Sequence, residues 1–187
     1  SSKKLVKINY FKYSPMVNFY QRDTLIYNSS GQVVTVKTFS TGATTPTKTQ
    51  NMSYNGSGQL TLVSETGNNG SSYTLTGTYV YSSSGKPSSY TSVYSPTTAG
   101  TGDNVSSIVY TSGNMTSCIF DTFTITATND LTAANPYYGL YNDGTDFINL
   151  FNQNNMLKAQ DNSATPNILA NNSYSYNNGR VSRITDQ

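Results

Sequence analysis

Apolar and polar residues alternate along much of this chain with a period of two. Between residues 73 and 81, Tyr73, Leu75, Gly77, Tyr79 and Tyr81 fall on one side, and Thr74, Thr76 and Thr78 on the other. Residues 122–128 repeat the pattern, with Phe123, Ile125 and Ala127 set between threonines. Side chains along a strand point to opposite faces in turn, so this pattern predicts strands with one apolar face and one hydroxyl face. Strands of that kind build an antiparallel sheet with one wet side.

The strands are punctuated by a phrase that recurs. Tyr27-Asn28-Ser29-Ser30-Gly31-Gln32 is answered by Tyr54-Asn55-Gly56-Ser57-Gly58-Gln59, and then by Tyr81-Ser82-Ser83-Ser84-Gly85-Lys86. The tyrosines and the final glycines of these copies recur every 27 residues. Fixed-period self-similarity marks repeated supersecondary units. Small polar residues followed by Gly, set between apolar stretches, suit a hairpin loop built on a type I turn with a left-handed last residue. A fourth copy, from Tyr110 through Ser112 and Gly113 to Met115, has a shorter turn; a fifth, Tyr176-Asn177-Asn178-Gly179-Arg180-Val181, closes the chain. Return loops are expected at 41–47, 66–71 and 95–103, which are rich in Thr, Ser, Gly, Asn and Pro. Pro87 suits a strand start or a bulge. The expected fold is all-β, one domain over 1–187 made of successive antiparallel hairpins: a meander forming a curved open sheet or a partly closed barrel. The 27-residue period covers 23–115, and the closing hairpin covers 172–185.

The rhythm stops between Leu131 and Ala170. There Thr145 and Asp146 offer a polar cap ahead of Phe147, Leu150 and Phe151, a spacing that predicts one short helix near 146–152 inside an irregular insert.

Composition sharpens this reading. Charged residues make up 11% of the 187, against about 25% in ordinary globular chains. Asn, Ser and Thr together account for about 40%, well above ordinary usage. Disordered chains are polar too, but they lack the 16 Tyr and the many β-branched residues found here. The net charge of +2 is too small for a nucleic-acid partner, and Lys3, Lys4, Lys7 and Lys12 read as a solvated edge. No run of 18 apolar residues occurs, so no membrane-spanning helix is expected. Ser1-Ser2-Lys3-Lys4 reads as a start left after a targeting segment is removed.

The chemical repertoire is narrow. There is no histidine, hence no Ser-His-Asp arrangement and no imidazole metal ligand. Cys118 is the one cysteine; it can form no internal disulfide, and its apolar neighbours suit a buried thiol. No phosphate-binding glycine loop is present, and no cofactor is expected. Nine acidic residues leave paired-carboxylate chemistry open, but no local motif selects a pair. Asp143 and Asp146 make a weak calcium candidate, which a turn followed by a helix cap explains equally well. Tyr90, Tyr94, Tyr137 and Tyr138 are the candidate ligand-binding residues, as rings on which sugars stack, set against the alternative that such tyrosines pack inside the sheet.

The phrases Y-N-x-x-G-Q-[VL] and Y-N-N-G-R-V resemble the hairpins of YD-type repeats. The order of Lys3-Lys4-Leu5-Val6-Lys7-Ile8, Asn135-Pro136-Tyr137-Tyr138-Gly139, Asn154-Asn155 and the final Tyr176-Asn177-Asn178-Gly179-Arg180 is similar to that of exported Bacteroidetes lipoproteins of unknown function. Two features depart from the YD pattern: Asn or Ser replaces the Asp after Tyr, and Arg follows the turn glycine only at Arg180. The resemblance implies successive antiparallel hairpins, a removed lipoprotein signal as the only membrane attachment, and a periplasmic or cell-surface location. It implies no catalytic residue. The expected function is a non-enzymatic binding or adhesion module of the cell envelope, with a glycan or an envelope protein as partner. The rivals are a structural or spacer domain in an envelope assembly, and a polysaccharide-active enzyme using paired carboxylates.

Overall fold

The computed structural model describes residues 6–13, 17–68, 70–134, 154–162, 168–177 and 180–186. Thirteen strands are present among them: β1 (Lys7–Tyr13), β2 (Val17–Tyr27), β3 (Val33–Ser40), β4 (Lys48–Tyr54), β5 (Leu60–Asn68), β6 (Ser72–Tyr81), β7 (Pro87–Ser95), β8 (Asn104–Thr111), β9 (Asn114–Phe120), β10 (Phe123–Ala134), β11 (Asn154–Asp161), β12 (Ile168–Asn177) and β13 (Arg180–Asp186). Their order in the sheet is their order in the chain, and the recorded ladders are antiparallel. The protein is therefore an all-β meander, as the alternation predicts. Among the described residues the only helical turn is a 3-10 segment at Thr97–Ala99; the helix expected near 146–152 lies outside the described residues.

The chain falls into two compact units. The first comprises 1–78 and 92–102, the second 79–91 and 103–187. Their boundaries pass through β6 and β7 themselves, with no linker to announce them in the sequence. The first unit buries Leu25, Val36, Met52, Leu60, Val63 and Leu75. The second buries Tyr79, Tyr90, Val105, Met115, Cys118, Ile125, Met156 and Ala159. Along β6 the burial pattern alternates as the sequence requires: Leu75, Gly77 and Tyr79 are buried, while Thr74, Thr76 and Thr78 are exposed.

The recurrent phrase is a three-residue hairpin loop. Tyr27, Tyr54 and Tyr81 each end a strand. In the first copy the Gly31 amide donates to the Asn28 carbonyl at 3.1 Å, closing a four-residue turn, and the Asn28 amide donates to the Gln32 carbonyl at 2.9 Å. The same pairs of bonds recur between Asn55, Gly58 and Gln59, and between Ser82, Gly85 and Lys86. Gly31, Gly58 and Gly85 have φ of 87°, 78° and 77°, the left-handed backbone that a Cβ disfavours by about 1–2 kcal/mol. The fourth copy needs only two residues. Ser112 and Gly113 have φ of 50° and 82° between the paired Thr111 and Asn114, the doubly left-handed form whose twist matches its flanking strands. In the fifth copy Asn177 pairs with Arg180.

Two expectations change. The return loop expected at 66–71 is shorter, because β5 runs on through Thr66, Gly67 and Asn68, which pair with Thr74, Tyr73 and Ser72. The stretch 131–170, expected to be irregular, contributes the end of β10 and all of β11 to the sheet. Register shifts at Thr128/Asn129 and Asp130/Ala134 explain why no clean alternation shows there. Pro87 opens β7, as expected.

Candidate functional site

The register of the first unit lays its side chains out in rows. On the inner face, Leu25, Val36, Gln50, Glu65 and Leu75 stand opposite one another on β2 to β6. The next inner row is Asp23, Thr38, Lys48, Gly67 and Tyr73. Glu65 is thus flanked across β4 by Gln50, directly opposite, and by Lys48, one diagonal step away. Tyr73 on β6 lies a diagonal step to its other side.

These positions converge on one buried carboxylate. Glu65 is 4% exposed. Gln50 Nε2 donates to its Oε2 at 2.7 Å, Tyr73 Oη donates to its Oε1 at 2.7 Å, and Lys48 Nζ lies 3.6 Å from Oε2. A buried carboxylate is tolerable only with such partners. Burial, followed by the hydrogen bond to Glu65 and its charge, raises the Tyr73 phenol well above its ordinary value. The ring is fixed from two further directions. A Cβ added at Gly67 would lie 2.5 Å from the Tyr73 oxygen and 2.6–2.8 Å from ring carbons, so the ring can rest there only because residue 67 has no side chain. The Tyr94 ring sits 5.7 Å from it, tilted by 51°.

The outer face of the same strands is a grid of hydroxyls and amides. Thr49, Thr66 and Thr74 form one row; Thr35, Asn51, Ser64 and Thr76 form the next. Thr35 Oγ1 donates to Asn51 Oδ1 at 3.0 Å. An open groove of about 740 Å³ runs where the Thr49 row meets the loop before β4 and the β5–β6 turn. Its walls include Thr45, Thr47, Thr49, Thr66, Asn68 and Tyr73, and among the described residues no charged side chain lines it.

The residues singled out in the sequence fare differently. Tyr90 is 1% exposed, with its ring 4.7 Å from that of Tyr79. A ring covered in this way offers no face to a sugar, which corrects that expectation: Tyr90 is core. Tyr94 is half-buried and supports Tyr73 from beside the groove. Tyr137, Tyr138, Asp143 and Asp146 lie outside the described residues. Among the described residues no three acidic or cysteine side chains gather as a metal cage. In the second unit, burial and then the charge of Asp121 raise the Asp103 carboxyl above its ordinary value; Asp121 is exposed in the turn between β9 and β10. Cys118 is buried, and burial pushes its thiol up to about 11.

Sequence reasoning missed Glu65, Gln50 and the outward row of Thr49, Thr66 and Thr74. Their neighbours come from other strands, and only the register brings them together. One signal was available: Gly67 and Tyr73 flank a turn, an arrangement in which an aromatic ring can cover a strand glycine. No known protein family matches the chain, and no curated protein matches its sequence.

Proposed function

We propose that this protein is a non-enzymatic, exported binding or adhesion module of the cell envelope, attached through a lipid anchor on its precursor. The supporting observation is the groove of the first unit: a neutral, hydroxyl-lined cleft of about 740 Å³ opening beside a hydroxyl-covered sheet face. The inner face of these strands packs apolar residues around the Glu65 network, and the outer face sets out Thr, Ser and Asn in rows. A surface with many neutral donors and acceptors and little charge gains from ligands of matching polarity. The test is a paired screen of the purified chain, on a glycan array and against separated envelope proteins. A saturable ligand from either screen is expected. Failure of both would remove the reading.

A further inference from the structure

We propose that the groove bounded by Thr45, Thr49, Thr66 and Tyr73 takes a neutral polysaccharide chain. This rests on the binding-module reading above and names the ligand class for its site.

Three observations lead there. The first is the absence of charge: among the described residues no Lys, Arg, Asp or Glu lines the groove, and the Glu65 carboxylate is buried. An anionic chain would gain no cation in the groove itself, and a cationic chain no carboxylate. The second is how the hydroxyl protons are disposed. Thr47 Oγ1 donates to the Thr38 carbonyl at 3.2 Å, Thr74 Oγ1 to the Ser95 carbonyl at 3.4 Å, and Tyr73 Oη to Glu65. The two threonine oxygens therefore present lone pairs to an occupant, while Thr49 and Thr66 can both give and accept. Such a lining suits a ligand dense in neutral O–H donors. The third is repetition. Thr49, Thr66 and Thr74 stand on three adjacent strands, so like groups recur at about 4.8 Å. A repetitive row suits a repeating polymer, and the open side lets the chain continue past it.

One charge lies close by. Lys37 on β3 stands opposite Thr49 in the same outer row, outside the groove lining. It allows neutral and anionic ligands to be told apart.

The test uses the full isotopically labelled chain. Cellohexaose, xylohexaose, mannohexaose and chitohexaose are the neutral probes, and hexagalacturonate is the anionic one. Amide shifts are followed by NMR, and affinities are measured on the parent, on Thr49→Val with Thr66→Val, and on Lys37→Gln. Valine keeps the β-branched shape and puts a methyl in place of the hydroxyl, and an unchanged amide spectrum elsewhere verifies the fold. The expected result is that at least one neutral hexasaccharide shifts amides in 45–49 and 66–74, that the double valine variant weakens it about tenfold, and that Lys37→Gln leaves it unchanged. Tighter binding of hexagalacturonate, abolished by Lys37→Gln, overturns the neutral class. A neutral sugar that binds while leaving these amides and both variants unaffected overturns the groove, with the binding-module reading intact. If no probe binds and the screens return only an envelope protein, the polysaccharide is wrong and the module stands. If the screens also return nothing, both fall.

Discussion

Tyr73 is a residue whose neighbours leave it little freedom. Its oxygen holds Glu65, its ring rests on the space that a side chain at Gly67 would fill, and Tyr94 tilts against it. Tyr73→Phe deprives a buried carboxylate of one donor, and urea denaturation should show a loss of about 1.5–3 kcal/mol, the range for hydrogen bonds to charged groups. Gly67→Ala acts through sterics: the ring must leave its place, at about 1–3 kcal/mol, and the tyrosine near-ultraviolet signal should change in the folded protein. Tyr54 gives a pH-dependent counterpart. Its hydroxyl donates to the Val33 carbonyl at 2.6 Å, and burial pushes its pKa up to about 12. The phenol holds its proton more tightly folded than unfolded, so its stabilising contribution is complete below the unfolded value of about 10 and is lost as pH rises through 12. Phenolate absorbance should therefore lag in the folded protein relative to the urea-unfolded chain, and Tyr54→Phe should shorten that lag.

At the scale of the hairpin, the glycines and tyrosines of the phrase are explained by local backbone chemistry, and for that reason they are legible in the sequence itself. The role of Gln32 is not. It lies just past the corner, where its Oε1 accepts from Asn28 Nδ2 at 2.9 Å and its amide donates to Asn28 Oδ1 at 2.9 Å. The same clip joins Asn55 and Gln59 at 2.7 Å. Gln32 Nε2 also donates to the Gly58 carbonyl at 2.9 Å, and Lys86 Nζ does likewise to the Gly113 carbonyl at 3.2 Å. Gln32 and Lys86 thus each supply a donor that reaches the next corner. That partner is 26 or 27 residues away, beyond what a local pattern can display. Gln32→Ala removes the strut and the side-chain half of the clip, leaving the backbone amide bond to Asn28, and should lower stability by about 1 kcal/mol in urea, a discounted figure because the site is partly solvated. The extension of β5 through Gly67 is hidden for a related reason: the residues there spell a turn, and only the ring arriving from β6 makes a strand of them.

For the whole molecule, the absence of histidine has a measurable result. No imidazole can titrate, the Cys118 thiol is pushed up to about 11, and carboxylates ordinarily titrate well below neutrality. The melting temperature should therefore stay nearly level between about pH 6 and 8 and begin to fall above the unfolded thiol value of about 8.5, which a calorimetric series would check. The meander is readable from the sequence because each strand's neighbour in the sheet is also its neighbour in the chain. The groove is not, since it draws on β4, β5, β6 and the residue Ser95 at the end of β7. A different consequence follows from the struts between corners. Their acceptor is a glycine's main-chain oxygen, and every corner carries one whatever its side chains. A gene segment encoding one 27-residue period, copied in tandem, would meet a ready seam without a compensating mutation. The seam already tolerates variation, since Lys86 reaches the two-residue corner of the fourth copy as Gln32 reaches the three-residue corner of the second. Chains of this kind can lengthen by recombination in whole periods, while a slip of one residue would turn the hydroxyl face inward.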